Sequence, residues 1–218
     1  QQELTSSVSH EFRTPLARLK FATVMLDERL SDEKSEVYIA NMNSDINELE
    51  SLVSEMLDYA KLDSQQPSLQ PYPTDLVELI KVSVEKLNFD KKISLDEALP
   101  SSLIYQCDPH FMARAFQNLI GNAIKYANSQ VKISLVTQHN EVQFVIEDDG
   151  RGIAEIEREN VFKPFTRLDK SRGKKTGGFG LGLAIVAKII AWHQGSYRIE
   201  HSSLGGAKFI ISLPIEQN

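Results

Sequence analysis

Cysteine is almost missing from this chain. Cys107 is the only one, so no intrachain disulfide can form, and such usage fits a reducing compartment. No apolar run approaches the roughly 18 residues that would cross a bilayer. A basic excess is missing too: 24 Lys and Arg stand against 30 Asp and Glu, a net charge of -6. That argues against nucleic acid as the main partner, since affinity for a phosphate backbone comes from neutralising its charge. A local basic patch still suffices for one nucleotide. What remains is 41% hydrophobic and 25% charged over 218 residues, a globular composition with room for one domain or two. Gln1-Gln2-Glu3-Leu4 already follows a helical pattern without a start methionine, as expected of a piece of a longer protein.

One stretch organises the rest: Ser9-His10-Glu11-Phe12-Arg13-Thr14-Pro15-Leu16. At a helical period His10 and Thr14 share one face, about a turn apart. Neutral imidazole is a nucleophile, and the carboxylate of Glu11 can hold or take its second ring proton. Pro15 has no N–H, so the Glu11 carbonyl loses its helical partner and the turn beside His10 loosens. A lone pair of this kind is also what an ordinary surface histidine on a kinked helix looks like.

Residues 1–30 read as a helix with an apolar stripe at Leu4, Val8, Phe12, Leu16, Leu19, Leu26 and Leu30. Ser31-Asp32-Glu33 opens a second helix reaching about Lys61. In it Ile39, Met42, Ile46, Leu49, Val53, Met56 and Ala60 alternate spacings of three and four, a heptad seam. A two-helix hairpin has no closed core, whereas two hairpins side by side bury both stripes as a four-helix bundle. A homodimer through residues 1–61 is therefore expected. Packing of the hairpin against its own C-terminal part is the alternative. Residues 62–73 carry three prolines among polar residues and mark a boundary. The division is 1–63 for a helical domain, 64–73 for a linker, and 74–218 for a second domain.

From Thr74 the texture is mixed. Thr74 is expected to cap a helix to about Phe89. Ile93–Leu95 and Leu103–Tyr105 read as strands, and Asp108-Pro109 opens a helix to about Ala127. Val131–Thr137 and Val142–Glu147 form a hairpin around His139-Asn140. Residues 149–180 read as a functional lid with a short helix near Ile156–Val161. Phe162 and Phe165 are expected to pin it to the core, and Lys170, Arg172, Lys174 and Lys175 to charge it. Leu181–His193 is a helix ended by Gly195 as a left-handed cap. Imidazolium at His193 would suit that helix end. Ser196–His201 and Ala207–Leu213 form a last hairpin. The second domain is thus an α+β sandwich with helices on one face of a mixed sheet.

Three motifs lie in it. Asn118 and Asn122 share a helix face with Lys125 one turn beyond; amide oxygens suit Mg²⁺ and the lysine suits phosphate. Asp148 ends a strand where it can accept a proton from a donor such as an adenine amino group, and Gly150 and Gly152 allow a sharp turn against a ligand. Gly177-Gly178-Phe179-Gly180-Leu181-Gly182 opens a helix whose N–H groups suit an anion. The glycines match neither the dinucleotide fingerprint nor a P-loop.

Taken together and in this order, these stretches resemble the histidine, N, Asp-x-Gly-x-Gly, Phe and Gly-x-Gly-x-Gly boxes of bacterial two-component sensor histidine kinases. The dimerisation domain resembles the HisKA type, and the second domain the GHKL ATP-binding fold. The resemblance covers nearly the whole chain. It implies a dimeric four-helix bundle followed by an α/β sandwich, and a protein-histidine kinase that uses ATP and Mg²⁺. His10 would accept the phosphoryl group, Glu11 would act as base, and Thr14 would position water for dephosphorylation of the regulator. Asn122 would hold Mg²⁺, with Asn118 nearby and Lys125 and Tyr126 at the phosphates. Asp148 would read adenine in a pocket shaped by Gly150 and Gly152. Gly178, Gly180, Leu181 and Gly182 would form the lid hinge and phosphate turn, and Arg167 would reach the γ-phosphate. Arg151 stands where the family often has proline, loosening that turn slightly. The implied partners are a second copy and a response regulator, with a membrane reached only through a missing N-terminal part, in the bacterial inner membrane. A GHKL ATPase clamp, a nucleotide-binding scaffold with degenerate chemistry and a phosphatase on the same fold are the rival readings.

Overall fold

The computed structural model describes residues 16, 17, 19–24, 26, 33–64, 67–87, 92–95, 99–168 and 179–215. The chain divides into two compact units, Gln1–Gln66 with Gly177–Phe179, and Pro67–Thr176 with Gly180–Asn218.

In the first unit, the described residues between 16 and 26 are helical, and α1 spans Glu33–Ser64. The heptad seam of α1 splits in two. Ile39 and Ile46 are buried, whereas Met42, Leu49 and Met56 are each more than two-fifths exposed. One hairpin therefore covers only one edge of the stripe. Thr23 is completely buried, and its hydroxyl bonds Asn43 Oδ1 at 2.5 Å, a polar contact across the hairpin. Further along, Lys20 Nζ donates to Asn47 Oδ1 and pairs with Glu50.

The second unit runs β1 (Tyr72–Asp75), α2 (Leu76–Glu85), β2 (Lys92–Leu95), β3 (Ile104–Cys107), α3 (Pro109–Tyr126), β4 (Gln130–Gln138), β5 (Glu141–Asp148), two 3-10 turns at Glu155–Glu157 and Asn160–Phe162, α4 (Gly182–Trp192), β6 (Ser196–His201) and β7 (Ala207–Pro214). The main sheet has the order β2-β4-β5-β7-β6. β2 and β4 are parallel, and the other pairs antiparallel. β1 and β3 form a separate two-stranded sheet. His139 and Asn140 both take positive φ, as a two-residue hairpin between β4 and β5 requires.

The register places Ile133, Ile146 and Phe209 side by side, and likewise Leu135, Phe144 and Ile211. All six are nearly or fully buried. α3 lies on this face, where Phe116 meets Phe144 at 4.5 Å between ring centroids. Burying an aromatic pair of this size stabilises by several kcal/mol, of which about 0.5–1.5 comes from ring geometry. Asp148 pairs with Val131 in the same alternation, so its carboxylate belongs to the helix-covered face. Glu147 belongs to the other.

Four local expectations change. Thr74 lies in β1; the cap of α2 is Asp75, whose carboxylate accepts from Val77 N and also from Leu103 N. Tyr72 and Pro73, placed in the linker by their prolines, are strand residues paired with Cys107 and Gln106. The left-handed residue after α4 is Gln194, at φ 57, and not Gly195. Gly195 is needed for a different reason: a Cβ there would sit 2.6 Å from the Ser212 carbonyl oxygen. Of the two lid phenylalanines only Phe162 is pinned, against Tyr197 at 4.0 Å and Phe209 at 6.4 Å, while Phe165 is exposed.

Candidate functional site

The site is built where β5, the C-terminus of α3 and the β6–β7 turn meet. Asp148 ends β5 and is buried. Its Oδ1 accepts from Gly150 N at 2.9 Å and Ala207 N at 3.1 Å, and its carbonyl accepts from Gly206 N at 3.1 Å. Two backbone donors on one oxygen fix the carboxylate's direction. Space is closed around it: a Cβ on Gly150 would overlap the Tyr126 carbonyl oxygen, and one on Gly206 would overlap Asp148 Oδ1 and its carbonyl oxygen. Gly152 has φ +71 and backs onto the Gly206 carbonyl.

Asp149 does the opposite work. Its carboxylate accepts from the Ser129 hydroxyl at 2.6 Å and from the backbone N–H groups of Asn128 and Ser129, while its carbonyl accepts from Asn128 Nδ2. The Ser129 hydroxyl, then the backbone donors, hold its pKa well below the usual carboxylate range. Asp149 thereby ties the α3–β4 turn to the Gly150–Gly152 turn. Glu147, on the other sheet face, grips the β6–β7 turn through Ser202 and Ser203. Neither role is visible in the sequence, because both depend on residues 20 or more positions away.

α3 brings the amide pair. Asn118 Nδ2 donates to the Arg114 carbonyl at 2.9 Å, and its Oδ1 lies where a Cβ on Gly182 would come within 2.7 Å. The N-terminus of α4 therefore sits against Asn118 because residue 182 has no side chain. Asn122, one turn on, is half-buried, and its side chain makes no hydrogen bond to any described residue. No cluster of three or more His, Cys, Asp or Glu suited to a metal occurs among the described residues. An uncommitted amide oxygen without carboxylate partners fits Mg²⁺, which binds through few protein ligands and phosphate oxygens. Lys125 Nζ lies 4.9 Å from the centroid of the Tyr126 ring, and Arg151 Cζ 5.8 Å from it. Cations therefore gather at the exposed end of α3.

α4 begins without a side-chain cap. Its first N–H groups are the donors that a helix leaves unpaired, at its positive end. Leu181 is fully buried, so its side chain is core and only its backbone can meet a ligand. Gly180 has φ +78, its carbonyl accepts from Phe165 N at 3.0 Å, and a Cβ would lie 2.6 Å from the Thr166 carbonyl oxygen. This contact fastens the Phe165–Thr166 turn to the entry of α4. Arg167 is exposed beside it. His10, Glu11, Thr14, Gly178 and the cations Lys170, Arg172, Lys174 and Lys175 lie outside the described residues.

His193 differs from expectation. It is buried, with Nδ1 2.8 Å from the Ile189 carbonyl and Nε2 3.1 Å from Asp108 N. The backbone N–H of Asp108 donates, so Nε2 must accept and the ring is neutral, protonated at Nδ1. Imidazolium at the helix end would break this bond. Burial pushes the Cys107 thiol up to about 11, which leaves it a packing residue.

No helix among the described residues is long and apolar enough to cross a membrane. Residues 107–217, half of the chain, match the family described as Histidine kinase-, DNA gyrase B-, and HSP90-like ATPase. Residues 1–65 match the His Kinase A (phospho-acceptor) domain. Sensor protein RstB of Escherichia coli (strain K12) is 38% identical over 221 residues, covering 100% of this chain and 50% of RstB. Sensor histidine kinase CpxA of the same strain is 29% identical over 220 residues, covering 99% and 47%. The crystal structure of full-length ShkA in complex with AMPPNP matches with a TM-score of 0.77 at 25% identity, covering 100% of this chain and 47% of ShkA. The chain spans about half the length of the curated relatives it matches. By its two matched domains, in the order phospho-acceptor then ATPase, the chain belongs to the two-component sensor histidine kinase family.

Proposed function

We propose that the chain phosphorylates itself on His10 from ATP and passes the phosphoryl group to an aspartate of a response regulator. The observation that carries this reading is the Asp148 carboxylate, buried and held by two backbone N–H groups beside Gly150 and Gly206, neither of which has room for a side chain, in a chain whose first 65 residues match a phospho-acceptor domain. Its three parts are the histidine phosphotransfer domain 1–63, a linker that ends before Tyr72, and the ATP-binding domain, which β1 opens at Tyr72.

In this reading Asp148 accepts a hydrogen bond from the adenine amino group, and the fixed direction of its carboxylate selects that base. Gly150, Gly152 and Gly206, by lacking side chains, let the surrounding backbone close on that carboxylate and hold it in place. The uncapped N-terminus of α4, entered through Gly180, Leu181 and Gly182, turns its N–H groups to the phosphates, and Gly178 would belong to the lid hinge before it. Lys125, Tyr126 and Arg167 line the phosphate side, with Asn118 holding α4 in place. Asn122 would hold Mg²⁺, which when bound neutralises charge on the transferring group. The linker lets the nucleotide reach His10. A ring nitrogen of His10 attacks the γ-phosphorus, the bond to the ADP oxygen breaks, and Glu11 takes the second ring proton. The phosphoramidate so formed is labile enough to pass its phosphoryl group to a carboxylate. Thr14 would orient water when the phosphorylated regulator is hydrolysed.

The exposed edge at Met42, Leu49 and Met56, seven residues apart, supports a homodimer, since an apolar stripe of this length facing water is stabilised by a second hairpin. Sedimentation of the chain as a monomer only would exclude it. The full-length protein is expected in the bacterial inner membrane. The test of the kinase reading is incubation with γ-labelled ATP and Mg²⁺. The wild-type chain should acquire acid-labile, alkali-stable label, and His10→Ala should lose it while still binding nucleotide. Label retained on His10→Ala would refute the assignment, and phosphate release without label would favour a plain ATPase.

A further inference from the structure

Asp108 and His193 join the two helices that carry the candidate site, at the ends away from it. Asp108 caps α3: Oδ1 accepts from His110 N and Phe111 N, and Oδ2 from Gln70 N at 3.1 Å. Its own N–H donates to His193 Nε2, while His193 Nδ1 donates to Ile189 in the last turns of α4. Both ring nitrogens are thus used, and the side chain is buried. Phe111 and Trp192 meet edge to face at 5.3 Å beside this junction. At the opposite end, Asn118 abuts Gly182. At 1.5 Å per residue, Asp108 and Asn118 are about 15 Å apart along α3, and Gly182 and His193 about 16 Å along α4. The antiparallel helices are therefore pinned at both ends of α4, against the N-cap and the middle of the longer α3.

The geometry points to His193 as a positioning residue for nucleotide binding: its bond to the Asp108 N–H sets the register of α3 against α4, and so places Asn118 and Asn122 against the uncapped N-terminus of α4. The same cap holds Gln70, so the segment entering the domain is fastened to this junction. A helix slip of a single residue is about 1.5 Å, enough to remove Asn122 from a phosphate-bridged ligand. The inference rests on the nucleotide reading above.

Two substitutions separate the two ring contacts. His193→Gln keeps an acceptor oxygen near the place of Nε2. His193→Asn keeps a donor nitrogen near the place of Nδ1 but falls short of Asp108. In the full chain, calorimetry with ATP should give His193→Gln an affinity close to wild type and His193→Asn one weaker by roughly five- to thirtyfold, the factor set by a buried donor left unpaired. The Asp108 amide should exchange with solvent faster in His193→Asn only. Equal ATP affinity for the two variants, whether both intact or both weakened, overturns the inference and leaves His193 a packing residue. If His193→Asn does not fold, the wild-type chain decides: ATP should slow exchange at the Asp108 amide, and no change there overturns the inference. A wild-type chain that binds no ATP at all removes the nucleotide reading itself, a result distinct from two variants that bind alike.

Discussion

Gly205 and Gly206 are adjacent, and alanine at each should have unlike consequences. Gly205 has φ +105, and a Cβ there would meet nothing within 4 Å, so Gly205→Ala meets backbone strain alone, roughly 1–2 kcal/mol. A Cβ at Gly206 would overlap Asp148 Oδ1 and the Asp148 carbonyl oxygen, and would lie 2.5 Å from Gly150 N. All three belong to backbone or to a carboxylate already held by two donors, so none can swing aside. Inserting a carbon into a closed contact costs about 1–3 kcal/mol, and displacing a buried carboxylate from its donors about as much again. Gly206→Ala should therefore cost roughly 3–5 kcal/mol, a large part of the stability of a single domain. Trp192 is the only tryptophan and packs in this domain, so its fluorescence follows urea unfolding of this unit. With a slope of about 1–3 kcal/mol per molar urea, the two midpoints should differ by about 1–2 M. ATP binding should fall in Gly206→Ala and persist in Gly205→Ala. Coincident midpoints would refute the claim that Asp148 is fixed by the absence of a side chain at residue 206.

Asp149→Asn tests the turn clamp through its pH dependence. The folded-state pKa of Asp149 is depressed, chiefly by the Ser129 hydroxyl, so its stabilisation is present above the unfolded value of about 3.9 and is lost as pH falls through the folded value. The variant should be less stable than wild type at pH 7, with the gap narrowing only below about pH 4; a gap that is constant across acid titration would exclude the clamp. Gln194→Gly should raise stability by about 0.5–1 kcal/mol, since Gln194 alone holds the left-handed position after α4. A thermal melt showing no gain would mean that the strain is relieved elsewhere.

What can be read from the chain alone is local. The heptad seam of α1, the Asp108-Pro109 start of α3 and the His139-Asn140 hairpin each declare themselves within a few residues, because period, cap and turn chemistry act over short range. The clustering of Asn118, Lys125, Tyr126, Asp148, Gly150 and Gly152 in one domain is also expected, though from resemblance rather than spacing. The missed features all need a distant partner. Gly206 matters only because β7 lies beside β5, and Gly195 only because Ser212 does. The neutral state of His193 depends on a backbone N–H 85 positions away. The seam's two unequal edges cannot be told apart by period, since Ile39 and Met42 have the same apolar signature and differ only in which helix covers them.

The adjacency of Asp148 and Asp149 shows why such a site resists reading by residue type. A strand turns successive side chains to opposite faces, so two identical carboxylates leave β5 in different directions. One enters the helix-covered face and is fixed by Gly150 and Ala207; the other leaves the strand and fixes the α3–β4 turn. Gly150 follows at once and backs against the end of α3, so the carboxylate, the turn and the helix terminus share one rigid knot. Precision here comes from backbone lying against backbone where no Cβ fits. Substitution should be least tolerated at Gly150, Gly180 and Gly206 and most tolerated at exposed Arg151.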